Sequence, residues 1–303
     1  MMKSRRSLKT LARAGLSLFI IPILILGCSS STAPTYRIEN VAKAIQDICR
    51  DEYKTDLKAR LVGSTLWIYM PVENLIVISD KPKKDKVVME KFAIEDNRVG
   101  FKDNSLELEY LIKTAPEKER FQPFEYTYNK EVSEKINNVW RALRRVIFSM
   151  ENLKKGGPQF FCLVVADIKY GAEIRQLFYY LDFKKVSYEF ISWNEYLHRT
   201  ISIVEKDTSP DQIKGDKDGL YIDYRDISME EFIALQIKHR IELKFQKPEV
   251  DKNADIDKEI LKIITYVIKT YNIRDFADVE LVNLFTQNRI ILNRAAIWAR
   301  PID

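Results

Sequence analysis

Apolar residues recur at three- and four-residue steps over residues 38–52, where Ile38, Val41, Ala44, Ile45, Ile48 and Cys49 share one side of a helix. From Leu57 to Met70 the period shortens to two. Leu57, Ala59 and Leu61 precede Gly63-Ser64, and Leu66, Ile68 and Met70 follow it, which predicts two strands joined by a tight turn. Val87 to Lys113 holds further strands, with turn chemistry at Glu95-Asp-Asn-Arg98 and Lys102-Asp-Asn104. Leu106, Leu108, Tyr110 and Ile112 alternate with Glu107, Glu109 and Leu111, the pattern of a half-buried strand. The charged stretch Thr114 to Gln122, carrying Pro116, is the best boundary in the chain.

The strictest helical stripe runs from Glu131 to Leu153, through Val132, Ile136, Val139, Leu143, Ile147 and Met150, and Gly156-Gly157-Pro158 stops it. The unbroken apolar run Gln159 to Ala166 suits a central strand covered on both faces. A helix is expected over Ala172 to Leu181, with Ile174, Leu177, Phe178 and Leu181 on one side. Ser192-Trp-Asn-Glu195 and Ser228-Met-Glu-Glu231 are capping boxes, opening a short helix and one that runs to about Phe245. Between them, Asp207 to Asp218 reads as a surface loop and Leu220 to Tyr224 as a strand. A helix from Ile256 to Tyr271 and two strands, Val279 to Leu284 and Ile290 to Ile297, complete the chain. This helix-then-two-strands order resembles that of residues 38–70, and loosely that of 131–166. Such units resemble small assembly modules of envelope machines, though no residue-level match links the copies. The fold class is α+β, with mixed helices, largely antiparallel strands and one buried central strand near 159–166.

Ahead of this body, Met1 to Arg13 carries Lys3, Arg5, Arg6, Lys9 and Arg13 and no acid, then runs into the apolar segment Leu16 to Leu26. That is a positive n-region and an eleven-residue h-region. As a helix it would span about 16 Å of a hydrocarbon core about 30 Å thick, too little to stay as a transmembrane span. Ile25-Leu26-Gly27-Cys28 follows at once, and it resembles the lipobox of bacterial lipoproteins. The resemblance implies lipid on the Cys28 thiol, cleavage before Cys28, and attachment to a membrane of the cell envelope. Ser29 next to that cysteine implies, where two membranes are present, the periplasmic face of the outer membrane. The organisation is then a signal peptide (1–27), a lipid-anchored polar tether (28–35), an N-terminal α+β part (36–122) and a C-terminal α+β part (123–303).

The anchor changes how charge is read. The full chain is +5, but removing residues 1–27 takes away five basic residues and no acid, leaving 44 of each sign. A neutral body has no global positive field to draw it to nucleic acid, so the expected partners are the membrane, through Cys28, and an envelope protein. Cys49 and Cys162 are the two other cysteines. They either pair in an oxidising compartment or act as small core hydrophobes.

No glycine-rich phosphate loop, H-E-x-x-H pair, zinc spacing or G-x-S-x-G elbow occurs, so no catalytic motif, cofactor or metal site is assigned. Lys214 to Gly219 resembles a calcium loop only until positions one and twelve are checked, where Lys214 and Arg225 stand in place of carboxylates. His198 and His239 read as helix-flank residues. Asp167, at the end of the apolar run, and Glu173, at the start of the next element, are the candidate acid–base or cation-binding pair; helix capping and ion pairing are the competing use. Between Phe178 and Tyr196 lie eight aromatics. Tyr179, Tyr180, Trp193 and Tyr196 among them either grip a peptide or sugar or form a core and its rim. Lys81 to Lys86 reads as a solvated basic loop. The leading function is a non-enzymatic, partner-binding or assembly lipoprotein; a carboxylate-based cell-wall or glycan hydrolase, and a peptide- or small-molecule-binding lipoprotein, are the alternatives.

The lipobox makes the first prediction. The mature protein carries a lipid increment in its mass spectrum, and Cys28→Ala abolishes lipid labelling. A lipid-labelled product from Cys28→Ala would overturn the assignment.

Overall fold

The computed structural model of the protein describes residues 35–78, 87–121, 126–150, 157–205, 210–246 and 250–301. The signal segment, the lipobox, the tether up to residue 34 and the basic run 81–86 lie outside the described residues.

A 3-10 turn (Ile38–Asn40) leads into α1 (Val41–Tyr53), whose buried stripe is Val41, Ile45, Ile48 and Cys49. The helix ends where Lys54 turns left-handed (φ 52°) and Thr55 N–H bonds to the Cys49 carbonyl at 2.9 Å. β1 (Lys58–Val62) and β2 (Thr65–Val72) then form the expected hairpin across Gly63-Ser64. Gly63 has φ +57°, and a Cβ there would stand 2.2 Å from Asp226 Oδ2, so only glycine fits. The Asp226 carboxylate holds this turn, accepting from Ser64 N–H at 2.8 Å, Ser64 Oγ at 3.0 Å and Thr65 Oγ1 at 3.1 Å.

After the short β3 (Ile76–Ile78) come β4 (Val87–Lys102) and β5 (Ser105–Phe121), a long hairpin turned by Asp103 and Asn104, both left-handed. The stretch Glu95 to Arg98 is no turn. It lies inside β4 at a register shift between Ile94 and Asp96, a bulge that lets buried Asn97 donate to the Lys238 carbonyl at 3.2 Å. β6 (Tyr126–Tyr128) pairs with β3, and Asn129 caps α2 (Lys130–Phe148), its side chain accepting from Glu131 N–H at 3.0 Å. α2 stops before the predicted Leu153; residues 151–156 lie outside the described residues.

The apolar run is the central strand expected of it: β7 (Phe160–Asp167) is buried at every position. The helix predicted over 172–181 is instead β8 (Ala172–Tyr179), followed by α3 (Tyr180–Ser187). The reason is burial on both faces. Ile174 and Phe178 enter one apolar cluster and Leu177 and Tyr179 the other, so their spacing imitates a helical stripe. Ser192 caps α4 (Trp193–Arg199) as predicted, and β9 (Ile201–Glu205) follows. Residues 206–209 of the expected surface loop lie outside the described residues; then comes the one-turn α5 (Pro210–Ile213). The strand predicted at Leu220 to Tyr224 does not form. Asp216 draws the N–H groups of Asp218, Gly219 and Leu220 onto its carboxylate at 2.9, 2.8 and 2.7 Å, which coils the chain into turns.

Ser228 caps α6 (Met229–Phe245) and Asp255 caps α7 (Ile256–Tyr271), and these lead to β10 (Asp278–Asn283) and β11 (Asn288–Asn293). The strand expected to reach Ile297 ends at Asn293, whose side chain accepts from Ala296 N–H at 2.8 Å and starts α8 (Arg294–Ala299).

The larger sheet has the order β1-β2-β7-β8-β9, antiparallel except for the β2–β7 pair. The second runs β11-β10-β5-β4, with β10 parallel to β5. The fold is thus α+β with mostly antiparallel strands. Alternation along β2 and β7 sends Leu66, Ile68, Met70, Phe161, Leu163 and Val165 to a cluster with α1 and α2. Trp67, Tyr69, Phe160, Cys162 and Val164 enter a second cluster with α6, α7 and the inner face of the second sheet. Each sheet takes strands from both sides of residue 122. Both sheets cross the boundary expected there.

The Asp226 clamp gives a prediction. Asp226→Ala lowers unfolding stability by about 0.5–1.5 kcal/mol, because the partly solvent-exposed donors of the turn lose their acceptor. Gly63→Ala costs more than this alone, because it adds the clash with Asp226 to a left-handed backbone cost of about 1–2 kcal/mol, and clearly less in the Asp226→Ala background, where only the backbone cost is left. Urea titration of the four proteins checks this, and additive losses would contradict it.

Candidate functional site

Strand geometry separates the two candidate carboxylates. Asp167 follows Phe161, Leu163 and Val165 on the face toward α1 and α2, whereas Glu173 shares the opposite face with Leu177. Asp167 is 2% exposed and its two oxygens are taken by backbone: Leu75 N–H at 2.8 Å, and Lys169 and Tyr170 N–H at 3.0 Å each. It closes the β7–β8 turn and pins the loop after β2. Glu173 is 1% exposed and accepts from Arg175 Nε at 3.0 Å, from Arg175 Nη2 at 2.8 Å and from the Tyr221 hydroxyl. Burial, and then its bond to Glu173, push the Tyr221 phenol well above the ordinary range. Both carboxylates are spent on structure, on opposite sides of a sheet, and do not form an acid–base pair.

The aromatic segment divides as well. Tyr179 is half-buried among Phe160, Phe232 and Tyr271, at ring separations of 5.6, 5.9 and 5.9 Å. Tyr180 and Tyr196 are buried on the other side of the sheet with Phe178, Phe183 and Trp140. Trp193 is the most exposed of the four candidates at 58%, with its ring 5.3 Å from that of Tyr196. The four make no common pocket.

Cys49 and Cys162 are free and lie in separate apolar clusters on either side of the larger sheet. Burial pushes each thiol up to about 12, so neither is a ready nucleophile or metal ligand. Burial and nearby Arg240 lower the pKa of His239, and His198 borders a shallow recess with Arg240, Lys244, Glu259 and Tyr266. Among the described residues no group of His, Cys, Asp and Glu is placed to hold a metal ion.

One concave surface among the described residues is marked by no motif. A groove of about 850 Å³ opens at the ends of β2 and β7, between α1 and the first turn of α2. Gln46 and Arg50 line it from α1, Lys58 from β1, Glu73 and Asn74 from the loop after β2, Asn129, Glu131 and Lys135 from the α2 start, and Lys217 and Asp218 from the coiled segment. Several of these charges are paired: Lys58 with Asp218 at 2.9 Å, Lys135 with Glu131 at 2.8 Å, and Arg50 with Asp47 at 2.7 Å. Asp167 builds one wall, since its bond to Leu75 N–H fixes the turn in which Asn74 is left-handed (φ +57°). The lining comes from six places in the chain and both signs of charge, so it left no local signature to read.

No model of a protein family, no curated protein and no solved structure matches this chain.

Asp167→Asn tests the structural assignment. An amide keeps one acceptor oxygen and turns an NH₂ toward backbone donors, so stability falls by about 1–3 kcal/mol. An unchanged urea midpoint would show that the three backbone bonds do not matter.

Proposed function

We propose that the chain is a lipid-anchored lipoprotein of the bacterial cell envelope that acts without catalysis, binding a protein partner in the groove at the ends of β2 and β7. Attachment in this reading is the lipid on Cys28, supported by the order of n-region, apolar segment, small residue and cysteine. The groove carries the binding half of the proposal. Its volume of about 850 Å³ lies within the range of ligand clefts, but its lining is polar, with both charges and the amides of Gln46, Asn74 and Asn129. Such a surface suits a polar, mixed-charge polypeptide segment better than an apolar small molecule, because each surface ion pair can be exchanged for one with the partner at small net cost. The hydrolase alternative relied on Asp167 and Glu173, and their placement on opposite faces removes its support.

A photo-crosslinking side chain at Asn74 or Lys135, introduced into the full chain in intact cells, is expected to trap one discrete envelope protein. The same group at Arg289, on the second sheet, is expected to trap none. Equal products from all three positions, or none from the groove, would count against this reading.

A further inference from the structure

One end of α2 gathers features that the groove does not use. The described chain begins there: Thr35 N–H donates to the Ser149 carbonyl at 2.9 Å, and Tyr36 bridges to Met150. Seven residues take the sequence from Cys28 to Thr35, a reach of at most about 25 Å. Phe148, the last residue of α2, stacks edge-on to Tyr188 at 5.0 Å, and Tyr188 lies 6.2 Å from Phe190.

The turn that carries these rings is built to show them. Glu189 is left-handed (φ +62°), Glu189 N–H bonds to the Val186 carbonyl at 3.1 Å, and Phe190 N–H bonds to the Lys185 carbonyl at 2.8 Å. This is a Schellman closure, in which the apolar residue after the left-handed one ordinarily folds back onto its helix. Phe190 is instead 79% exposed, with Tyr188 and Trp193 each 58% exposed, and Leu197 is exposed one helical turn beyond Trp193. Basic groups flank the rings: Arg144 and Lys184 lie 5.9 and 5.7 Å from the Phe148 ring centre. Glu189, exposed, and Glu195, mostly covered and paired with Arg199, are acids within the ridge.

We propose that this ridge is a bilayer-docking face, with Tyr188, Phe190 and Trp193 entering the headgroup region of the membrane while Arg144 and Lys184 meet lipid phosphates. The inference rests on the lipid-anchor reading. A tether no longer than about 25 Å that joins the body beside Phe148 keeps this end of the molecule near the surface, so weak contacts there act at high effective concentration. Rings with an apolar body, flanked by cations, are the side chains that favour the interfacial layer. A protein partner would not need the ridge to sit where the tether joins.

The test uses the full lipidated protein, reconstituted in vesicles of phosphatidylethanolamine and phosphatidylglycerol. A nitroxide is placed at Phe190→Cys or, as a control on the second sheet, at Ile291→Cys; native Cys49 and Cys162 are buried and Cys28 carries lipid. The expected result is a label at 190 that oxygen reaches readily and a water-soluble nickel chelate reaches at least several-fold less than the label at 291. Equal chelate access at both sites, with the lipid increment confirmed by mass, overturns the docking face and leaves the anchor standing. Protection at 190 from both reagents means a protein contact and also overturns the proposal. Absence of the lipid increment refutes the anchor itself, independently of the label.

Discussion

The larger sheet is apolar on both faces, and most of the structure follows from covering them. β7, buried along all of its length, sits at the centre of five strands and cannot face water on either side. One face takes α1 and α2; the other takes α6, α7 and a second sheet, which closes over the same apolar cluster. At a gain of about 25 cal/mol per Å² of apolar surface buried, these two clusters outweigh any polar contact described above. The separation of Asp167 from Glu173 is a direct consequence, since neighbouring strand positions point into different cores, and Cys162 on β7 faces away from the core that holds Cys49 of α1.

Where one face of an element meets water, the sequence was legible. α2, with one buried stripe, and β5, with Leu106, Leu108, Tyr110 and Ile112 inward and Glu107 and Glu109 outward, kept a clean period. The serine half of each capping box at Ser192 and Ser228 also forms, each serine accepting from the N–H three residues on at 3.1 Å, while the glutamates turn instead to Arg199 and Tyr266 and to Arg225. Legibility failed where both faces are buried or where a remote residue decides. β8 lost its two-residue period because both sides are apolar. Asp216 overrode the β-like pattern of Leu220 to Tyr224, and Asn293 ended β11 by capping a helix. The parallel β2–β7 and β5–β10 pairings join segments far apart in sequence, and no local pattern records them. The groove failed for the same reason, being assembled from α1, β1, a loop, α2 and a turn.

The two cores are stitched at the β9 edge by buried charge. Asp182, from α3, accepts from Arg199 Nη1 at 2.8 Å and from the Tyr271 hydroxyl at 2.9 Å, and Arg199 also binds Glu195 at 2.7 Å. Tyr266 and Arg240 approach the same Glu195 carboxylate. Burial alone would raise the pKa of Glu195, but hydrogen bonds from Tyr266 and Arg199 hold it below the ordinary range. Desolvating such groups costs several kcal/mol per ion, so the network adds little net stability and acts chiefly by fixing geometry. It orients α3 and α4 against α6 and α7, and so sets the angle at which the loop carrying Tyr188 and Phe190 leaves the body.

α2 relates the two surfaces that carry the functional argument. Its start supplies Asn129, Glu131 and Lys135 to the groove, and its last residue, Phe148, begins the aromatic ridge beside the point where the described chain begins. Nineteen residues make a helix about 28 Å long. A body seated on its ridge would therefore hold the groove well clear of the headgroups, with the rigid helix as the spacer and the larger sheet packed along it. Tethering alone would leave the body free to rotate and would present the groove in every direction. In the proposed arrangement a second contact at the ridge, a few residues' reach from the anchor, would remove that freedom, and orientation would come from combining a covalent anchor with contacts that are weak one by one.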